Sequence, residues 1–237
     1  MQSTNDYLQK TLQNKSIKSL FFLVILGFFS IYIFHNLNVS SKSLSYDITL
    51  KQKYDLFHSI LFTSIILIPF AYIFKNELVN LLKTTWAQFS ITLVYSFFLL
   101  LVLNYFFIQL ISIFHIPATS NPGLSSQNPL SSFLLLRIII QVMGEELILF
   151  SIIFSFYIIG MRVTPRTRYL LLFSILIGSI IFGLVHLPTL DYNVIQCIII
   201  GITFAMRTLL FLWFGNITIC YISHLFWNLI ITWASHL

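Results

Sequence analysis

Apolar runs separated by short polar segments make up almost the whole chain. Seven can be traced: about Leu20 to Phe34, Ser59 to Phe74, Phe89 to Phe114, Ser132 to Gly160, Tyr169 to Leu187, Val194 to Phe214 and Ile217 to Ala234. Each is continuous rather than alternating apolar and polar positions. Continuity at this length predicts helices crossing a hydrocarbon layer of about 30 Å. It argues against a transmembrane β-barrel, whose strands alternate with period two. The expected fold is therefore all-α, a polytopic transmembrane helical bundle of about seven spans. The count becomes eight if the fourth run divides after Phe133 to Gln141, a stretch that carries Arg137 and reads as a separate interfacial segment.

The polar segments set the boundaries. Residues 1–18 form a polar N-terminal tail, 19–131 hold the first three helices and their loops, and 132–237 hold the remaining helices with the candidate chemistry. Asn36 to Asp55 reads as a polar loop and Lys75 to Gln88 as a short amphipathic connection. His115 to Ser131, with Pro117, Pro122, Gly123 and Pro129, reads as an irregular loop. Met161 to Arg168 is a basic turn, Pro188 to Asn193 a short loop holding Asp191, and Gly215-Asn216 a tight break. The first run lacks a small-x-small cleavage site and reads as a retained anchor.

Composition agrees with this class. Of 237 residues, 58% are hydrophobic and 8% charged, against about 25% charged in soluble domains. The net charge of +6 is read as cationic loops beside an anionic leaflet, with the lipid bilayer as partner and no nucleic acid. With the N-terminus inside, Lys10, Lys15, Lys18, Lys75, Lys83, Arg162, Arg166 and Arg168 face the cytoplasm, and only Lys42, Lys51 and Lys53 face out. The positive-inside rule therefore places the N-terminus in the cytoplasm of a multi-pass cell-membrane protein. Cys197 and Cys220 sit in apolar runs and read as packing residues.

A few polar side chains interrupt the apolar runs. Glu145 and Glu146 lie in the fourth run, where a charged residue at the bilayer centre costs about 2.5–3.5 kcal/mol on insertion scales. Adjacent on a helix, they point about 100° apart. One can face a reaction site while the other meets a structural partner. His186 ends the fifth run. His224 and Asn228, four residues apart, share a face of the seventh helix. Each is costly alone, and convergence would satisfy all of them. It would also assemble a carboxylate base, two imidazoles and an amide around one cavity, equipment for activating water and holding a tetrahedral intermediate. Interhelical hydrogen bonding alone and a proton relay in a small transporter are the competing readings. No HEXXH metalloprotease motif is present.

Glu145-Glu146-xxx-Phe150, then Phe182-xxx-His186, then His224-xxx-Asn228, resemble the three motifs of the CAAX-protease and bacteriocin-processing family, also called CPBP or Abi. That family's pattern is EExxxR, FxxxH and HxxxN or HxxxD on successive helices. The resemblance covers about Val142 to Asn228. It implies an intramembrane endopeptidase acting on a membrane-associated peptide or protein, in bacteria a bacteriocin self-immunity or peptide-processing enzyme. It implies that Glu145 activates water, helped by His186, that His224 and Asn228 bind the oxyanion, and that Glu146 orients the site. The cofactor stays open between zinc and none. If a metal binds, His186 and His224 are the implied ligands, with a glutamate. Phe150 departs from the pattern, standing where the family has arginine, so Glu146 needs another partner. Arg207 in the sixth run is the preferred candidate and Arg137 the second. The same departure motivates the alternative of a non-catalytic membrane immunity or regulatory protein on this scaffold.

Overall fold

The computed structural model describes residues 9–41, 48–114, 130–164, 167–190 and 193–236. Among them there is no strand. The long helices are α1 (Ile17–Ser41), α2 (Ile48–Ile73), α3 (Trp86–Phe114), α4 (Ser132–Val163), α5 (Thr167–Leu184), α6 (Val194–Phe214) and α7 (Ile217–Ala234). A short helical turn, Leu78–Leu82, joins α2 to α3, and a 3₁₀ turn, Leu187–Leu190, precedes α6. The chain is a multi-pass helical membrane protein. Among the described residues five helices are long and apolar enough to cross a membrane: α2, the Trp86–Leu110 part of α3, α4, α6 and α7. Ile17–Ile33 of α1 and Tyr169–Leu184 of α5 are further apolar helical stretches.

Two expectations are corrected. The fourth run does not divide: α4 is one unbroken helix of 32 residues, and Phe133 to Gln141 is its first part. Its start is fixed by Ser131, whose side chain accepts from the backbone N–H of Leu134. The polar segment before Asp55 is not all loop either. Helix α2 begins at Ile48, so Lys51, Gln52, Lys53 and Asp55 are helical. Polarity suggested a loop, but Gln52 and Asp55 are buried on the inward face of a helix, while Lys53 is exposed and Phe57, Ile60 and Leu61 make its outward face apolar. The interior of His115 to Ser131, with Arg166 and Asp191, lies outside the described residues.

Helix α4 is the axis of the bundle. Its best apolar window is 72% buried, against 33% for α2 and 28% for α3. Helices α1, α2, α5 and α7 all pack on it. Without a hydrophobic drive between helices in lipid, close approach at small residues decides the geometry. Helices α5 and α6 cross where Gly183 and Gly201 meet. A Cβ on Gly183 would lie 2.4 Å from the Cys197 carbonyl oxygen and 2.6 Å from the Gly201 nitrogen. This crossing brings the end of α5, with His186, beside Phe204 on α6. Helices α6 and α7 are joined by Gly215, the left-handed cap (φ 68°) that ends α6. Asn216 then caps α7 by accepting from the Ile219 N–H, and its amide donates to the Lys83 carbonyl at 2.7 Å.

Gly183→Ala should destabilise the detergent-solubilised protein by about 1–3 kcal/mol or more, as overpacking against backbone does. Gly27→Ala should do less, because its nearest neighbour is the tip of Ile148 at 3.0 Å. Thermal unfolding of the two variants side by side checks the ranking.

Candidate active site

The polar residues of α4 and α7 meet at one imidazole. Nδ1 of His224 lies 2.9 Å from Oε1 of Glu146. Nε2 of His224 lies 3.5 Å from Oε2 of Glu145 and 3.4 Å from the amide nitrogen of Asn228. The 100° between adjacent helical positions lets the two glutamates approach the ring from different sides, one to each nitrogen. Glu146 and His224 are buried, at 2% and 3% exposed. Glu145 is the more open, and Gln141, one turn earlier on α4, donates to its Oε1 at 2.8 Å. Helix α7 is fixed on its other face: Ser223 bonds Ser96 of α3 at 2.7 Å, and the Trp227 indole donates to the Ser96 carbonyl. The His224 ring is therefore met by its own helix and by α4, while α3 holds the helix that carries it.

His186 stands in the turn just beyond α5, its Nδ1 3.1 Å from the Phe182 carbonyl. It reaches the cluster through Phe204. That ring lies 4.8 Å from His224 edge-on, 4.7 Å from Phe182 edge-on and 6.1 Å from His186 between centroids. His186 is within electrostatic reach of His224. Phe182 is fully buried and forms the floor under His186.

The two arginines have different places. Arg137 pairs with Asp55 of α2 at 3.5 Å and is not the partner of Glu146. Arg207, 4% exposed, lies in the electrostatic field of both glutamates. Its guanidinium sits over Phe204 at 4.2 Å and near Trp227 at 5.6 Å. No ion pair within 4.0 Å joins it to Glu146. Its Nε and Glu146 Oε2 are both buried without a hydrogen-bond partner. The position where the motif has arginine is filled by Phe150, which is fully buried and packs at a tilt against Phe211 of α6, 4.8 Å between ring centroids. Helix α6 runs in the same direction as α4, since α5 returns between them. One turn before the Phe150–Phe211 contact stand Glu146 and Arg207. The charge missing from α4 is thus present at the same level on α6.

Among the described residues no three His, Cys, Asp or Glu side chains converge as a metal centre requires. Both His224 nitrogens face carboxylates or an amide, and His186 Nδ1 faces its own helix. The donors do not fit a three-ligand zinc site in this arrangement. Sequence reasoning missed Gln141, Phe204 and Asp55. Gln141 was findable from its i,i+4 spacing to Glu145. Phe204 carried no signal among 25 phenylalanines.

Residues 127–230 match the family model described as type II CAAX prenyl endopeptidase Rce1-like. No curated protein matches the chain, and no solved structure does. The matched residues contain α4 to α7 almost entirely, with every side chain of the His224 cluster, and leave out α1 to α3.

Glu146→Gln keeps an oxygen facing His224 and should leave thermal unfolding little changed. Glu146→Leu leaves the buried Nδ1 unpaired and should lower stability by about 1–3 kcal/mol. Unfolding in detergent, followed for both variants, checks the difference.

Proposed function

Residues 127–230 belong to the CAAX-protease family, and from that premise we propose that the protein is an intramembrane endopeptidase using Glu145 and His224 to drive water onto a peptide carbonyl. The observation that supports it most is the imidazole of His224 held between two glutamates in an apolar shell. In this reading Glu146 accepts the Nδ1 proton of His224 and fixes the ring. Glu145, the more open carboxylate, takes a proton from a water molecule, and the hydroxide adds to the carbonyl carbon. The proton passes to Nε2, 3.5 Å away. The resulting imidazolium and the Asn228 amide face the developing oxyanion. Collapse of the tetrahedral intermediate breaks the C–N bond, and the amine leaves with that proton. The family resemblance also implies help from His186, which lies across Phe204 from the His224 ring. No step needs a metal. The substrate is a membrane-associated peptide or protein. The setting in keeping with the motifs is bacteriocin self-immunity or peptide processing in a bacterial plasma membrane, with the N-terminus in the cytoplasm.

Arg207 is assigned the positioning role left open by Phe150. Its charge steadies the Glu146 carboxylate from the neighbouring helix, and Phe204 beneath it links it to His224.

Purified wild-type protein should cleave a membrane-anchored peptide, and Glu145→Gln and His224→Ala should each slow cleavage by about 10²–10⁴-fold. Cleavage should persist in a strong chelator. Chelator-sensitive cleavage would replace this mechanism with a metal one. An inert wild type whose variants keep their cellular effect would favour the non-catalytic immunity scaffold that Phe150 suggests.

Arg207→Met should lower kcat with little change in KM. In a double-mutant cycle with Glu146→Gln the two losses should not add, with a coupling of about 0.5–3 kcal/mol. Additive losses would remove Arg207 from the site.

A further inference from the structure

Outside the His224 cluster, buried polar side chains gather along the seam between α2 and α4. On α2, Gln52, Asp55, Ser59 and Thr63 recur at three- and four-residue spacing and are buried, with His58 beside them. Phe57, Ile60, Leu61 and Ile68 face outward. On α4, Arg137, Gln141 and Glu145 follow at four-residue spacing and share a face. Some of these groups bond each other. Ser131 donates to Gln52 at 3.0 Å, Thr63 donates to the Ile140 carbonyl at 2.7 Å, and Gln141 donates to Glu145.

The middle of the seam is different. Oδ1 of Asp55 and Nδ1 of His58 are fully enclosed and have no partner. Arg137, 8% exposed, has as its hydrogen bond the long 3.5 Å contact to Asp55. A seam that only glued two helices would close these bonds, since each unmet group costs about 1–3 kcal/mol in a low-dielectric interior. Polar residues turned inward on membrane helices mark routes for water, protons or ions. The site at the far end of this stripe also has a need: peptide hydrolysis consumes one water per bond, and lipid supplies none.

We infer that the α2/α4 seam is an internal water route leading from the end of the bundle where α4 begins, past Asp55, His58 and Arg137, to Gln141 and Glu145. Its purpose rests on the peptidase reading; its existence does not. Asp55 and Arg137 hold the middle of the route polar, and Gln141 hands water to Glu145. Helix α2 lies wholly outside the residues matched to the family model, so this contribution belongs to the less recognisable part of the chain.

Silver ions, which enter narrow spaces where water does, test the route. Single cysteines would be placed at Ser59→Cys and Gln141→Cys in a Cys197→Ala/Cys220→Ala background. Ile60→Cys and Leu136→Cys, on outward positions of the same helices, serve as comparison. Protection from later alkylation is read by mass. Silver should block the two seam positions at least about tenfold faster than the two outward ones. Equal rates at Ser59→Cys and Ile60→Cys would overturn the route. Where Ser59→Cys does not accumulate, Gln52→Cys is read instead under the same criterion. Adding Asp55→Leu with Arg137→Leu, which removes both charges together, should abolish silver access at Gln141→Cys. Unchanged access there would also overturn the proposal. Fast silver access in a protein that cleaves no peptide would support the route and remove the peptidase reading instead.

Discussion

A single imidazole with a glutamate on each side is the constraint on which the rest of this bundle depends. His224 is buried, and a buried ring nitrogen without a partner is costly. Glu146 meets one nitrogen at 2.9 Å, and Glu145 and Asn228 approach the other. Meeting that demand requires α7 to lie along α4 at the level of residues 145–146, with α7 held in rotation by its bonds to Ser96. It also requires α6 to bring Phe204 against the ring, with Arg207 lying over Phe204. The close glycine crossing of α5 and α6 is what allows that approach.

Much of this was legible in the sequence, for a physical reason. A membrane helix can hold an ionisable residue only if another group answers it, which is why Glu145, Glu146, His224 and Asn228 could be expected to meet, as they do. His186 instead faces the Phe182 carbonyl and lies beyond Phe204 from His224. The runs from Val194 to Phe214 and from Ile217 to Ala234 coincide with helices because Gly215 and Asn216 are a cap and a counter-cap that local chemistry specifies. The first half was harder to read. Lys51, Gln52, Lys53 and Asp55 look like a loop by composition, and only packing shows that Gln52 and Asp55 face inward on a helix. Arg137 suggested a break in the fourth run, but its charge is met by Asp55, so the helix continues through it. Arg207 was the preferred partner for Glu146 on charge alone, but that the two stand at one level needed the relative direction of α4 and α6, which no spacing within one helix encodes.

The close fit of α2 on α4 bears on where the working unit of this protein ends. Gly144, next to the two glutamates, has no room for a side chain: a Cβ there would lie 2.6 Å from the Phe62 ring and 2.8 Å from the Thr63 hydroxyl. The residues matched to the family model are therefore not a self-sufficient module to be cut out or grafted. Severed from α2, the backbone beside the glutamates would lie open to lipid, the Ile140 carbonyl would lose the Thr63 hydroxyl, and Arg137 would be left with an unanswered charge in the membrane. Such constraint runs both ways along the chain. A helix with no motif of its own is tied, side chain by side chain, to the pace at which the motif-bearing helix can change.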